Sequence, residues 1–250
     1  MIAVIGGSGL SNMSEWILEK SEPVMTPFGK PSHKLMFFKT SGVDVIFLPR
    51  HGDPHHIPPH QINYRANIWA LKSLGVKQII SVATVGSIDS SIEPGALVIP
   101  NQIIDYTYGR EHTFFDGINN PLNHVDFTYP YDRILRKFLI DTSKKLNLNY
   151  VEGGCYAAVQ GPRLESSAEI NRYERDGATI VGMTGMPEAG LARELDLAYA
   201  AICPVANHAA GRGQSMEGLN LETINKNSKG MMLAVTNLLS ELINSYGHRN

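Results

Sequence analysis

The chain has 250 residues, of which 22 are Lys or Arg and 24 are Asp or Glu, for a formal net charge of −2. That balance argues against a sequence-independent nucleic-acid binder, which needs a basic face. No apolar run approaches the roughly 20 residues that span a bilayer, so no membrane partner is expected, and the length is enough to bury a full core.

Residues 2–5 read as a first strand that breaks at once into Gly6-Gly7. They lack a basic start and a long apolar stretch, so a signal peptide is not expected. Residues 35–39 and 43–48 read as two strands turned by Ser41-Gly42. Ile62, Ala66, Trp69 and Ala70 recur at helical spacing and predict a helix over 62–74, closed by Gly75. A buried strand is expected over 78–84, ending at Gly86, and another over 96–100. The stretch 105–130 is aromatic and without periodicity, and reads as a long loop of the kind that usually has a function. There follow a helix over 131–146, a strand over 151–159 and a helix over 165–176. A strand over 179–181, a helix over 187–195 with proline at its start, a strand over 198–206 and a long amphipathic helix over 221–246 complete the chain. Strands and helices alternate and no linker divides them. The expected fold is therefore α/β, a single domain over 1–250 with a central mixed β-sheet flanked by helices.

Three segments stand out at strand ends: Gly161-Pro-Arg-Leu-Glu165, Gly182-Met-Thr-Gly-Met-Pro-Glu188 and Asn207-His-Ala-Ala-Gly211. They supply a carboxylate, an amide, a hydroxyl and a flexible thioether, a set suited to holding a purine nucleoside beside an anion. Gly6-Gly7-Ser8-Gly9-Leu10 lets a backbone approach an anion. It is not the dinucleotide fingerprint, because the glycine spacing differs and no acidic residue follows about 20 residues on. Arg50 and His51 follow a strand, and an arginine fork suits phosphate. His51, His55, His56 and His60 lie among prolines without a metal-ligand spacing such as H-E-x-x-H, so no metal is expected there. Thr84-Val85-Gly86-Ser87 offers a hydroxyl and amides that could complete an anion cradle, but taken alone it reads as a plain strand-to-loop turn. Taken singly, Glu165 reads as a charge at a helix start, Asn207 as a turn residue and Met183 as core. Cys155 and Cys203 form no metal or disulfide framework, which suits a reducing cytoplasm.

In combination these segments resemble the purine nucleoside phosphorylase family, in the trimeric branch that includes the 5′-methylthioadenosine phosphorylases. Further matches are Thr26-Pro-Phe-Gly-Lys-Pro31, Asn63-Tyr-Arg-Ala-Asn-Ile-Trp-Ala-Leu71 and Phe115-Asp-Gly117, so the resemblance runs over nearly the whole chain. It implies cleavage of an N-glycosidic bond by inorganic phosphate, without metal or organic cofactor. It implies a phosphate site of Ser8, Arg50, His51, Thr84 and Thr184, a ribose lying on Met183, and a base held by Leu164, Glu165, Asn207 and Ala209. Asn207 and Glu165 are the implied catalytic pair. His124 matches a histidine that reaches a neighbouring subunit's 5′ pocket, which implies a homotrimer. The adenosine-type branch has two aspartates where this chain has Asn207 and Ala209, and a serine at Glu165. Glu with Asn is the pattern of the branch that cleaves 6-oxopurine nucleosides. The remainder of the chain follows the methylthio branch, a mixture that resembles bacterial S-methyl-5′-thioinosine phosphorylases. The other readings are a water-using nucleosidase, a ligand sensor without turnover, and an NAD-dependent oxidoreductase, the last disfavoured by the incomplete glycine fingerprint.

Overall fold

A computed structural model of the protein describes residues 1–10, 16–118 and 120–247, without the side chains of Ser8 and Tyr246. The chain opens with the fully buried strand β1 (Ile2–Gly6) and a short 3-10 turn, Ser8–Leu10. Strand β2 (Ile17–Glu22) has no counterpart in the sequence reading: its six residues are all exposed, so no apolar alternation marks it. Strands β3 (Leu35–Thr40) and β4 (Val43–Pro49) form the expected hairpin. Ser41 and Gly42 both take positive φ, 47° and 79°, the backbone that a tight two-residue reversal demands.

Helix α1 (Tyr64–Ser73) starts at the Asn63 cap, whose side chain accepts the Ala66 N–H, two residues later than the apolar spacing suggests. The expected strand over 78–84 is β5 (Gln78–Val82), and a further short strand, β6 (Val85–Ser87), follows where the sequence reads as a turn. Strands β7 (Leu97–Ile99) and β8 (Gln102–Asp105) precede an irregular stretch that runs to the Asp132 cap of α2 (Arg133–Lys145). The expected strand over 151–159 is broken by Gly153 and Gly154, at φ 94° and 106°, into β9 (Tyr150–Glu152) and β10 (Cys155–Ala158). Helix α3 (Ser167–Arg175) begins with a reciprocal capping box between Ser166 and Glu169. Glu165 therefore lies before the helix, and the acidic residue of its first turn is Glu169. Strand β11 (Ile180–Gly182), helix α4 (Glu188–Glu194), strand β12 (Ala198–His208) and helix α5 (Leu221–Gly247) follow. Because β12 extends to His208, Asn207 is a strand residue and not the turn residue that the sequence suggests.

The sheet is mixed, as expected, with strand order β2-β3-β4-β1-β5-β12-β6-β11-β10-β8, and with β7 bridging β12 and β9. The run β4-β1-β5-β12 is parallel, so Gly6, Arg50 and Ala83 emerge at one edge, the side where open α/β sheets bind ligands. Strand β6 runs parallel to β12 and antiparallel to β11, so Gly86 pairs with both Asn207 and Val181. Helices α1 and α4 bury one face of the sheet, with Ile68, Leu71, Ala189 and Leu191 in the core, while α2 and α5 cover the other with Leu135, Leu139, Leu238 and Leu239. A third cluster joins Val159, Ile170, Val181, Ala209 and Ala210 beneath the loops after β10 and β12.

Candidate active site

The parallel edge places Arg50 between three strand ends. Its backbone N–H donates to Gly6 O at 2.8 Å, and its side chain is 1% exposed. Nη1 donates to Val82 O at 3.0 Å, and Nη2 to Ile5 O at 3.4 Å and Ser81 Oγ at 2.6 Å. The two-point face that the sequence reading reserves for phosphate is turned to Glu188, with Nε–Oε2 at 2.6 Å and Nη2–Oε1 at 2.8 Å. Glu188, itself 0% exposed, also accepts the hydroxyls of Ser81 and Tyr199, each at 2.9 Å. Burial alone would lower the Arg50 pKa; the adjoining carboxylate more than offsets this and leaves it above the usual range. One Nη1 hydrogen has no acceptor among the described residues, and it is what Arg50 retains for an anion.

His51 follows with Nδ1 2.9 Å from Ile57 O and its ring stacked 4.3 Å from that of His55. A carbonyl only accepts, so Nδ1 carries the hydrogen. Burial, then the charge of Arg50, lower its pKa to about 4, so the ring is neutral near pH 7. Thr84 is exposed in the link from β5 to β6. Thr184 is buried two residues past β11, its N–H 3.4 Å from the Tyr156 hydroxyl. Ser8 begins the 3-10 turn after β1, its side chain outside the described residues.

On the nucleoside side, β6 is the common support. Gly86 has Asn207 Nδ2 at 3.3 Å, Val181 Cγ1 at 3.4 Å and the Ala209 backbone at 3.5 Å from where a Cβ would stand, so a side chain there would press on the Asn207 amide and touch the other two. Asn207 Nδ2 donates to His208 O at 2.7 Å, and its second hydrogen and Oδ1 have no hydrogen-bond partner among the described residues. Ala209 is buried, and its N–H donates to Ser87 O at 2.7 Å. Gly161, at φ 60°, lies so close to Met183 that a Cβ would come within 2.4 Å of the sulfur. Gly211 has the same relation to the first turn of α3, with Ser167 Oγ at 2.6 Å. These approaches bring the loops after β10, β11 and β12 together around Met183, Asn207 and the stretch 161–165. Leu164 is exposed, and Glu165 is half-buried with no hydrogen bond from another residue among those described. Burial raises the Glu165 pKa, and the nearby Glu169 adds to the shift. The fork of Arg163 is taken by Glu169, at 2.8 and 2.7 Å. His124 lies exposed in the irregular stretch, and no described contact ties it to the other candidates.

Two residues of this site carry no role in the sequence reading. Glu188 was visible only as the end of a Met-Pro-Glu motif; its signal is an acid opening the otherwise buried first turn of α4. Arg110, in the irregular stretch, is buried and donates to Met183 O, Met186 O, Val159 O and Gln160 O at 2.6 to 3.2 Å. It fastens the loop after β10 to the loop after β11. Nothing in an aperiodic aromatic segment marks such a residue in advance. Two cavities lie elsewhere, one of about 220 Å³ between α2 and α5 and one of about 300 Å³ beside Lys77, Asp132 and Arg193, and no candidate residue lines either. Among the described residues no group of three or more His, Cys, Asp or Glu could hold a metal ion.

A family model described as the phosphorylase superfamily matches residues 1–244. The chain belongs to the phosphorylase superfamily. Among its relatives, a protein of Pseudomonas syringae pv. tomato named probable S-methyl-5′-thioinosine phosphorylase is 48% identical over 86% of this chain and 87% of its own. One of the same name from Xanthomonas campestris is 44% identical over 96% of both chains. The 6-oxopurine nucleoside phosphorylase of Pyrococcus furiosus is 46% identical over 84% of this chain and 80% of its own. In structure, the methylthioadenosine phosphorylase of Schistosoma mansoni in complex with adenine superposes with a TM-score of 0.93 over all of this chain and 92% of its own, at 30% identity. The superfamily assignment and that superposition agree with the fold class expected from sequence.

Proposed function

We propose that this phosphorylase is a pentosyltransferase that uses inorganic phosphate to cleave 6-oxopurine nucleosides. Its preferred substrate is S-methyl-5′-thioinosine, and the products are hypoxanthine and 5-methylthioribose 1-phosphate. The observation that carries the reading is Glu165, a partly buried carboxyl that receives no hydrogen bond from another described residue and stands near the Asn207 strand. A 6-oxopurine bears a hydrogen on N1 that a carboxylate accepts; adenine N1 is a lone pair that the same carboxylate repels. Leaving buried polar groups unpaired costs roughly 1–3 kcal/mol each, enough for about 100-fold discrimination. The names of the Pseudomonas and Pyrococcus relatives support this reading.

In the reaction, an oxygen of hydrogenphosphate forms the bond to C1′ as the C1′–N9 bond breaks, and the electron pair leaves with the purine. The proton of hydrogenphosphate ends on the released base. The Nη1 hydrogen of Arg50, with His51, Ser8, Thr84 and Thr184, orients the anion below the sugar, and Met183 bears the ribose. Asn207 meets the departing base, Oδ1 toward a proton on N7 and Nδ2 toward O6. Contacts that tighten as charge moves onto the base raise the rate more than uniform binding does. Leu164 and the small Ala209 leave room at the base and for a 5′-methylthio group. The resemblance also carries a single domain over 1–250, a homotrimer to which His124 would contribute across subunits, and a cytoplasmic home, which the free thiols Cys155 and Cys203 suit. Among the described residues no helix is long and apolar enough to cross a membrane.

A second reading, cleavage of 5′-methylthioadenosine, is favoured by the structural neighbours, which are named methylthioadenosine phosphorylases. A third keeps the 6-oxopurine base and takes inosine or guanosine. Base release from methylthioinosine, inosine, guanosine and methylthioadenosine, with and without phosphate, separates them. Phosphate-dependent release fastest from methylthioinosine is the expected result; faster release from methylthioadenosine would overturn the base assignment.

A further inference from the structure

The fully buried pairing of Arg50 with Glu188 is unexpected for a phosphate site. Arginine binds phosphate most tightly through its two-point fork, and here that fork is bound by a carboxylate. The other candidates add no charge: His51 donates Nδ1–H to a carbonyl and is neutral, and Ser8, Thr84 and Thr184 are hydroxyls. Glu188 is held in turn by Ser81 and Tyr199, so its place is fixed by neutral donors as well. We infer that Glu188 cancels the charge of Arg50, so that the anion site carries no net positive charge and the bound phosphate keeps its own charge for the sugar. The inference rests on the phosphorolytic function proposed above.

The physical gain is in the transition state. As the C1′–N9 bond lengthens the sugar becomes cationic, and the anion beneath it supplies the stabilising field. An uncompensated guanidinium would hold phosphate more firmly before reaction. It would also repel the sugar cation and damp the anion's field. Tighter binding of the ground state without matching binding of the transition state lowers kcat. Glu188 is thus a positioning residue that also acts electrostatically, lowering phosphate affinity and raising turnover.

The sign of this effect sets it apart from simple orientation of Arg50. Inorganic phosphate is titrated calorimetrically into the wild-type protein, Glu188→Gln, Arg50→Gln and the double variant, and kcat is measured for each. Glu188→Gln should bind phosphate on the order of tenfold more tightly and turn over on the order of tenfold more slowly, as expected for a unit charge unmasked near the site. Arg50→Gln leaves a bare carboxylate near the anion and should lose affinity. The double variant restores neutrality and should regain most of that loss, to within about fivefold of wild type. Buried ion pairs commonly tolerate joint replacement by neutral groups, so the double variant stays informative where a single one fails to fold. Weaker phosphate binding in Glu188→Gln, or a double variant far below wild type, would overturn the inference and leave the proposed function intact. Wild-type cleavage that needs no phosphate would instead remove the function itself.

Discussion

Replacing Arg110 by methionine tests how the nucleoside site is held together. The guanidinium donates to four main-chain carbonyls, those of Val159, Gln160, Met183 and Met186, and to Gln160 Oε1 and the Tyr64 hydroxyl. Methionine fills similar volume and donates nothing. Hydrogen bonds from a charged donor are worth about 1.5–3 kcal/mol each, and an orphaned buried acceptor costs about 1–3 kcal/mol. Water will reach the partly exposed carbonyls, and the variant no longer desolvates a cation, so the net loss should be nearer about 3–4 kcal/mol than the sum. For a chain of this size each kcal/mol shifts Tm by about 2–4 °C, which predicts a fall of about 10 °C. Because the severed contacts join the loops that carry Met183 and the 161–165 stretch, the nucleoside KM should also rise about tenfold or more. Scanning calorimetry and initial-rate kinetics measure the two effects. A Tm within about 2 °C of wild type together with an unchanged nucleoside KM would refute the role assigned to Arg110.

Asn207→Asp should move preference toward 6-aminopurine nucleosides, because a carboxyl can deliver a proton to N7 where an amide cannot; a substrate profile identical to wild type would remove Asn207 from the base site. Glu165, its pKa raised first by burial, should bind 6-oxopurine nucleosides better as pH rises through that raised value, since the ionised carboxylate accepts the N1 hydrogen more strongly than the neutral acid does. Nucleoside affinity measured on both sides of that transition should show the rise in wild type and lose it in Glu165→Gln. His51, depressed to about 4 against a usual 6.5, binds its proton less readily in the folded state. Its contribution to stability is therefore complete above about pH 6.5 and is lost as pH falls toward 4. His51→Gln should flatten that part of the pH-stability curve, and an unchanged slope would count against the burial of the ring.

Much of the architecture was legible because its signals are local. The strand–glycine junction at Gly6, the Ser41-Gly42 reversal and the apolar spacing of α1 each follow from short-range chemistry, and each stands in the structure within about two residues. What escaped depends on distant partners. Strand β2 has no apolar face and exists only because β3 pairs with it. The break inside the strand expected over 151–159, and the extra strand β6 after residue 84, arise where the chain passes to a new neighbour: β5 lies between β1 and β12, β6 between β12 and β11. The site divides in the same way. Arg50, Asn207 and Glu165 were visible as residue types at strand ends. The engagement of the Arg50 fork by Glu188, 138 positions away, was not visible, because sequence shows a charge without its counter-charge.

Strand β2 also bears on how the molecule avoids its own kind. A sheet of this size must end somewhere, and a free border of unpaired amides invites a second sheet to dock. Here that border reads Ile-Leu-Glu-Lys-Ser-Glu, with Lys20 bonded to Glu22 at 3.1 Å and a bulge between Leu18 and Lys20. Another strand arriving there would have to strip water from these charges and match an irregular rung spacing. The segment least conspicuous in the sequence is thus the one that discourages fibrous stacking.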